Sequence, residues 1–205
     1  MTRFLLVRHG ETEWTRARRI QGQRDTPLTP LGLRQAERLG ERLRGEDINA
    51  VYSSDLGRAM ETARLAVPSL PVERRPELRE CAFGEVEGQN FAWIQQNLPA
   101  VARHWLGRWP GLAFPGGETL ATMLGRTSAC FRELRRRHPR GTVLVVAHDG
   151  PLRSGICALM GWGRRRWWSL RLAPASLTII ETRPLRLLLF NDTCHLEGLE
   201  PEAGR

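Results

Sequence analysis

The 205-residue sequence contains no lysine, so that all 31 of its basic residues are arginine. Against 22 acidic residues these arginines produce a formal net charge of +9, which raises nucleic-acid binding as one interpretation. The alternative is a coding bias toward arginine, in which case the arginine runs at residues 135–137 and 164–166 are solvated surfaces. We therefore expect no nucleic-acid partner, although a positive field would steer an anionic substrate into a cleft.

Long apolar runs are also absent, and no stretch approaches the roughly 20 residues that a membrane-spanning helix needs. The apolar stretch at residues 4–7 is too short for the apolar part of a signal peptide, so we expect a cytoplasmic protein with no membrane partner. The four cysteines are widely spaced and form no C-x-x-C pair, which predicts buried free thiols rather than a metal site or a disulfide framework.

The order of the predicted elements indicates an α/β sandwich in one domain spanning residues 1–205. Apolar runs and periodic apolar positions predict strands at 4–7, 50–52 and 142–147, a closing hairpin at 176–181 and 185–190, and helices at 29–44, between 55 and 68, at 119–138 and at 151–160. Residues 76–117 are irregular and rich in aromatic residues and proline, which predicts a helix-containing insertion that covers the sheet. Thr29 and the Ser53-Ser54-Asp55 cluster are predicted to cap the helices that follow them. The polar tail after Leu199 is expected to fray.

Two predicted strands end in the same way, with an apolar run followed by histidine and glycine. Arg8, His9 and Gly10 follow the first strand, and His148 with Gly150 follows the strand at 142–147. A lone histidine at a strand end is more often structural, but ligand sites in open α/β sheets lie outside the carboxyl ends of strands. Because Arg8 is costly to bury without an anion, we expect the two histidines to meet in one anion-binding pocket.

This residue set suits the transfer of a phosphoryl group from a monoester. Such a reaction needs cations on the phosphoryl oxygens, an in-line nucleophile and an acid for the leaving oxygen. Arginine binds phosphate bidentately, and neutral imidazole is a nucleophile, so Arg8 and His9 supply one of each. Arg58 follows another strand and offers a second cation, although the residues alone favour an ordinary surface arginine in the first turn of a helix. The residues alone leave the acid open among four carboxylates: Glu77, Glu80, Glu85 and Glu87.

Five motifs in order resemble the histidine phosphatase superfamily, which has the phosphoglycerate-mutase-like fold. They are Arg-His-Gly-Glu-Thr at 8–12, Ser-Ser-Asp-Leu-Gly-Arg-Ala at 53–59, Leu-Arg-Glu-x-x-Phe-Gly-x-x-Glu-Gly at 78–88, Gly-Gly-Glu-Thr at 116–119 and Val-Val-Ala-His-Asp-Gly at 145–150. The resemblance runs from residue 3 to about 190. It implies a three-layer α/β/α sandwich with a mostly parallel central sheet and a helical insertion over the active site.

The resemblance also implies roles for individual residues. His9 is the nucleophile that becomes phosphohistidine, Glu80 is the general acid and then the base for water, and neither a metal nor another cofactor is needed. The phosphoryl group is bound by Arg8, Arg58 and His148, with Gln21 and the backbone near Asp149 and Gly150 lining the pocket.

Two threonines lie in or near these motifs. Members of the family commonly carry asparagine at the position of Thr15, so we expect one phosphate contact there to be lost or mediated by water. Thr119 is predicted to cap the long helix rather than to touch substrate.

The stretch after Glu80 resembles the phosphatase branch of the family, including alpha-ribazole phosphatases and broad-specificity phosphatases. We therefore expect a phosphatase acting on a small phosphorylated metabolite, with alpha-ribazole 5′-phosphate as a candidate. The alternatives are a cofactor-dependent phosphoglycerate mutase and a non-catalytic binder or scaffold. The chain is expected to be a monomer or a homodimer. Five aromatic residues of the insertion could line a leaving-group pocket or could simply pack it onto the sheet: Phe83, Phe91, Trp93, Trp105 and Trp109.

Overall fold

The computed structural model describes residues 1–109 and 111–199. The tail in which fraying was predicted, residues 200–205, lies outside the described residues. The strands are β1 (Thr2–Arg8), β2 (Ile48–Ser53), β3 (Val72–Arg74), β4 (Gly141–Ala147), β5 (Leu177–Thr182) and β6 (Leu185–Asp192). The α-helices are α1 (Glu13–Arg16), α2 (Pro30–Leu43), α3 (Gly57–Ala66), α4 (Phe91–Asn97), α5 (Pro99–Leu106), α6 (Leu120–Arg137) and α7 (Asp149–Met160).

Within the described part of the chain, the strands form a six-stranded sheet in the order β3-β2-β4-β1-β5-β6. Strands β3, β2, β4 and β1 are parallel, and β5 pairs antiparallel with both β1 and β6. The register places Arg8 opposite Ala147, and Ser53 opposite Val146. Because β1, β2 and β4 run in one direction, the residues that follow them emerge side by side at one edge of the sheet.

The sheet lies between two helical layers, as the resemblance implied. On one face Phe4 and Leu6 pack in a core with α6 and α7. On the other face Leu5 and Val7 pack in a core with α2 and α3. Both faces are thus covered, which explains why β1 and β4 are continuous apolar runs rather than alternating ones.

Residues 76–117 contain α4, α5 and two short 3₁₀ turns, as predicted for the insertion. They have a buried apolar cluster of their own, which includes Val86, Ile94 and Phe114 and is joined by Met123 of α6 and Trp167. This cluster lies beside the carboxyl ends of the strands because the insertion begins directly after β3.

The capping residues predicted from the sequence are confirmed for α2 and α6 but not for α3. Thr29 and Thr119 cap α2 and α6 through their side chains, as predicted. Helix α3 differs, since its N-cap is Leu56 and its first two N–H groups, those of Gly57 and Arg58, donate to the carboxylate of Asp25. The Ser53-Ser54-Asp55 cluster therefore does not serve as the cap. Helix α7 begins two residues before the predicted Pro151.

The expectation of four buried thiols is wrong for one of them. Cys194 is exposed, because it lies in a turn after the edge strand β6, whereas the other three cysteines are buried.

Candidate active site

His9 is the buried residue directly after β1, with 2% of its surface exposed. Its main-chain N–H donates to the carbonyl of Ala147, which ties it to the end of β4. Its Nδ1 lies 2.7 Å from the carbonyl oxygen of Gly10, and since a carbonyl can only accept, Nδ1 carries the proton. The lone pair of the neutral ring is therefore on Nε2, which is the atom that can attack an electrophile.

His148 lies beside His9 at the end of β4. The two ring centroids are 5.1 Å apart, and His148 is 1% exposed. Burial lowers the pKa of both imidazoles well below the usual range, and the nearby Arg58 lowers each pKa further. Both rings are therefore neutral at pH 7, as a nitrogen nucleophile and its neighbour must be.

Ser54 fixes the orientation of the His148 ring. Its Oγ lies 2.9 Å from Nε2 of His148, and its main-chain N–H donates to the carbonyl of Val146. The same Oγ accepts from the N–H of Leu56, and among the described residues Nε2 of His148 is the acceptor within reach of the hydroxyl proton, so we assign Ser54 as the donor to His148. In that arrangement Nδ1 of His148 carries a proton and is a hydrogen-bond donor.

Arg8 and Arg58 are held mainly by main-chain oxygens. Nη1 of Arg8 donates to the carbonyl of Leu172 at 2.5 Å. The side chain of Arg58 is fully buried and donates to the carbonyls of Gly22 and Arg24 at 2.7 and 2.8 Å, with Asp25 farther away at 3.4 Å. Burial lowers the pKa of Arg58 to about 10, so the guanidinium remains charged at neutral pH.

Three donors of this group are buried without a hydrogen-bond partner among the described residues: Nε of Arg8, Nε of Arg58 and Nδ1 of His148. Buried polar groups in native proteins are almost always paired, so three unpaired donors in one place are unusual. Two belong to cations and the third to a neutral ring. The set is complementary to an anion with several oxygens, such as a phosphoryl group.

Glu80 is the one of the four candidate carboxylates that reaches this edge of the sheet. Its oxygens accept from the N–H of Cys81 at 2.9 Å and from the N–H of Gly150, at the start of α7, at 3.1 Å. A Cβ at position 150 would collide with Glu80 Oε1, so glycine permits this approach. Burial, followed by the charge of Asp149, raises the pKa of Glu80, which favours its protonated form.

The other three carboxylates are engaged elsewhere or lie in solvent. Glu77 pairs with Arg75, and Glu85 is exposed. Glu87 accepts from the main-chain N–H groups of Gln23, Arg24 and Phe83, and thereby joins the loop after α1 to the insertion.

Glu80 also borders an apolar cavity of about 160 Å³, which we call the inner cavity. Most of its remaining lining is aromatic or aliphatic: Phe83, Trp105, Leu112, Phe114, Leu120, Met123, Trp167 and Trp168, with Asp149, Gly150 and Arg153 on the polar side. Of the aromatic residues singled out from the sequence, Phe83 and Trp105 thus line a cavity, whereas Phe91 and Trp93 pack in the core of the insertion.

Three further predicted site residues have side chains committed to other contacts. Nε2 of Gln21 donates to Thr26, and Oε1 of Gln21 is buried without a partner in the described chain. The carboxylate of Asp149 accepts from Arg153 and from the N–H of Leu172. The hydroxyl of Thr15 is part of a capping box with Thr12 and also donates to the carbonyl of Thr12. A direct phosphate contact by Thr15 would require this cap to open.

Sequence reasoning missed the residues that position the reactive groups. Arg126 of α6 donates to the carbonyls of Glu77, Arg79 and Glu80 and pairs with Glu118, and so holds the turn that carries Glu80. Ser54 was interpreted only as a helix cap. The signal for Ser54 was its place after a buried strand, but no sequence pattern indicates that a helix arginine reaches three carbonyls.

No group of three or more metal-ligating side chains is found within residues 1–109 and 111–199. In the same residues, no helix combines the length and apolar character needed to cross a bilayer.

Comparisons with known proteins agree with this geometry. The family model described as "Histidine phosphatase superfamily (branch 1)" matches residues 4–193. Phosphoserine phosphatase 1 of Hydrogenobacter thermophilus is 34% identical over all of this chain and 99% of its own length. A probable phosphoglycerate mutase, GpmB of Proteus mirabilis, is 34% identical over 88% of this chain and 85% of its own length. The crystal structure of the alpha-ribazole phosphatase from Shigella flexneri superposes with a TM-score of 0.85 at 29% identity, covering 93% of this chain and 96% of that one.

Proposed function

Because the chain belongs to the histidine phosphatase superfamily and is a phosphoric monoester hydrolase, we propose that it transfers the phosphoryl group of a small metabolite to His9 and then to water. The observation that carries this proposal is the hydrogen bond from Nδ1 of His9 to the carbonyl of Gly10, which leaves Nε2 as the nucleophilic atom. The three unpaired donors of Arg8, Arg58 and His148 support it, because they would bind the phosphoryl oxygens.

In the first half-reaction, Nε2 of His9 attacks phosphorus while the bond from phosphorus to the ester oxygen breaks. Protonated Glu80 gives its proton to that oxygen, so the leaving group departs as a neutral alcohol. The raised pKa of Glu80 supports this role, since an acid must hold its proton near neutral pH.

In the second half-reaction, the Glu80 carboxylate takes a proton from water as the water oxygen bonds to phosphorus. The bond from phosphorus to Nε2 then breaks, which releases inorganic phosphate and restores neutral His9. Arg8, Arg58 and Nδ1–H of His148 stabilise the charge on the phosphoryl oxygens in both steps, with Ser54 keeping the proton of His148 on Nδ1.

For the substrate, we propose a phosphomonoester whose leaving group carries an apolar aromatic part. A cavity of about 150 Å³ lined by apolar side chains can hold a benzene-sized group, and the inner cavity has a similar volume of about 160 Å³. Alpha-ribazole 5′-phosphate, which has an aromatic base, is one candidate, and the likeness to the Shigella flexneri enzyme supports it.

Phosphoglycerate mutase activity is the second candidate, favoured by the likeness to GpmB of Proteus mirabilis. Phosphoglycerate has a carboxylate, which needs a free cation beside the reacting phosphate. The arginine of the inner cavity, Arg153, is already bonded to Asp149 and to the carbonyl of Trp167. The inner cavity therefore favours an apolar leaving group and the phosphatase reaction.

The test is phosphate release from phenyl phosphate and alpha-ribazole 5′-phosphate by the wild type and by His9→Ala. We expect release by the wild type and a loss of at least about 10³-fold in kcat for His9→Ala. His138→Gln, at the opposite end of the sheet, is the matched control and should retain activity. Hydrolysis that survives in His9→Ala would exclude the mechanism. Interconversion of 3- and 2-phosphoglycerate at a rate comparable to hydrolysis would favour the mutase.

A further inference from the structure

A second cavity, with a volume of about 400 Å³, lies between the end of α5, the start of α6 and the 3₁₀ turn Arg164–Ser169. We call it the outer cavity. It is lined by three arginines (Arg108, Arg164 and Arg165), two tryptophans (Trp109 and Trp168) and four small or aliphatic residues (Gly107, Leu120, Ala121 and Leu124). No acidic residue is among these lining residues.

The three arginines of the outer cavity differ from those around them in having no anionic partner. Within residues 1–109 and 111–199, the guanidinium groups of Arg108, Arg164 and Arg165 form no hydrogen bond or ion pair. The neighbouring Arg153 pairs with Asp149, and Arg126 pairs with Glu118. Three uncompensated positive charges around one concave surface make a site for an anion.

The tryptophans give this site an aromatic wall. Trp109 is 50% exposed, although its ring contacts His104 at a centroid distance of 4.2 Å. Trp168 packs edge-on against Trp167, at 4.8 Å between centroids. An exposed indole beside guanidinium groups suits a ligand that is both aromatic and negatively charged, since its ring can stack while its charge pairs with arginine.

The outer cavity adjoins the inner cavity. Leu120 and Trp168 line both, so these two side chains are a wall that the cavities share. A leaving group that begins at Glu80 and is longer than one ring would extend past Leu120 and Trp168 into the outer cavity, where the arginines lie. Thus the outer cavity can extend the substrate site as well as bind a separate molecule.

We propose that the outer cavity binds an aromatic anion, such as an aryl carboxylate, through Arg108, Arg164 and Arg165. The anion is either the distal end of the phosphomonoester or a separate ligand. The first source rests on the proposed phosphatase function, whereas the second can be tested by binding alone.

The test compares biphenyl-4-yl phosphate with its 4′-carboxylate, because these esters differ only in the distal charge. For the wild type, we expect kcat/KM to be about tenfold higher for the carboxylate, the size of one charge-assisted hydrogen bond. In the triple variant Arg108→Gly/Arg164→Gln/Arg165→Gln that preference should disappear. Gly fits position 108, where φ is 53°. Both esters are measured on one preparation, so any misfolded fraction cancels in the ratio.

The matched control is Arg132→Gln/Arg136→Gln/Arg140→Gln, which removes the same charge from exposed positions of α6 and the turn after it. This control should keep the wild-type preference. In the binding arm, naphthalene-2-carboxylate should bind about tenfold more tightly to the wild type and the control than to the cavity variant.

The outcomes separate the two sources and the two proposals. A preference for the carboxylate ester supports the distal end of the substrate, and naphthalene-2-carboxylate binding without that preference supports a separate ligand. Equal ester ratios together with equal naphthalene-2-carboxylate binding in wild type and cavity variant would overturn the inference. Hydrolysis of neither ester would overturn the proposed function alone, and the binding arm would still decide the inference.

Discussion

Two groups of arginines differ in what holds their guanidinium groups. At the strand-end site, Arg8 and Arg58 bond chiefly to main-chain carbonyl oxygens. Directly after β3, Arg75 bonds to both carboxylate oxygens of Glu133, at 3.0 and 2.6 Å. A carbonyl orients a guanidinium without cancelling its charge, whereas a carboxylate cancels it. The first group therefore keeps a positive charge for an anion, and the second stabilises the fold.

Residue type and burial therefore do not identify an arginine that is available to an anion. Arg58 and Arg75 both have little exposed surface, 1% and 9%. Their partners distinguish them, since only Arg58 has a buried donor, Nε, that finds no hydrogen-bond acceptor among the described residues. Substitutions in the two groups should accordingly change different observables.

The largest effect among the supporting groups is expected at Arg58. Arg58→Lys keeps a charge but loses the planar fork, and kcat/KM should fall by about 10²- to 10³-fold, as for the loss of one transition-state donor. Arg64→Lys, on an exposed position of the same helix, should remain near the wild type. Steady-state hydrolysis of phenyl phosphate measures both, and equal activity of the two variants would remove the distinction between the two groups.

The next effect is at Glu80, where Glu80→Gln removes a transferable proton and keeps the shape. We expect kcat for alkyl phosphates to fall by about 10²-fold, at the lower end of what a general acid contributes. The loss should be much smaller in the first half-reaction with 4-nitrophenyl phosphate, whose leaving group needs no proton. Burst kinetics separate the halves, and an equal loss of the burst rate for both esters would contradict the role of Glu80 as acid.

The dependence of activity on pH tests the role of Glu80 as the acid in a second way. Because the pKa of Glu80 is raised, wild-type activity should persist above the usual carboxyl range and fall as pH rises through that pKa. Because the pKa of His9 is lowered, loss by protonation of the imidazole should begin only well below pH 6.5. Glu80→Gln should abolish the alkaline limb of kcat/KM and leave the acidic limb in place.

A smaller effect is expected at Ser54, which acts through His148. Ser54→Ala should lower kcat/KM by about 10- to 100-fold, the same range as the loss of a hydrogen bond that orients a metal-ligating histidine. Ser54→Thr keeps the hydroxyl and should restore most of the activity. Ser53→Ala is the control, since within residues 1–109 and 111–199 the hydroxyl of Ser53 bonds only to the carbonyl of Ser54. A defect in Ser53→Ala as large as in Ser54→Ala would indicate general disruption of the strand end.

The smallest effect on activity is expected at Arg75. Arg75→Met should lower the free energy of unfolding by about 1–2 kcal/mol. This loss is smaller than that for a fully buried ion pair, because the side chain of Glu133 is 44% exposed. Hydrolysis should stay within about twofold of the wild type. Arg75 lowers the pKa of Glu133, so this stabilisation is present above the unfolded pKa of Glu133 and is lost as pH falls through its folded pKa. Urea unfolding at pH 7 and pH 3 measures the difference.

The sheet and the meeting of the two strand-end histidines could be predicted from sequence because they depend on local patterns. Apolar runs that end in histidine and glycine identified β1 and β4, and parallel strands necessarily bring His9 and His148 to one edge. Glu80 could not be chosen from four carboxylates by physical reasoning, since its position depends on the contact with Gly150 some 70 residues away. The role of Arg126 could not be predicted for the same reason, since its contacts are also distant in sequence. The capping role of Thr15 is shown only by its hydrogen bonds to Thr12.

Trapping the phosphorylated protein is the most direct test of the proposed mechanism. Phosphohistidine survives alkali, so a reaction quenched in base within the first turnover can be analysed by peptide mass spectrometry and phosphorus NMR. We predict one phosphoryl group on Nε2 of His9 in the wild type and none in His9→Ala. A phosphoryl group on Nδ1 or on another residue, or turnover with inversion at phosphorus and no trapped intermediate, would contradict the account.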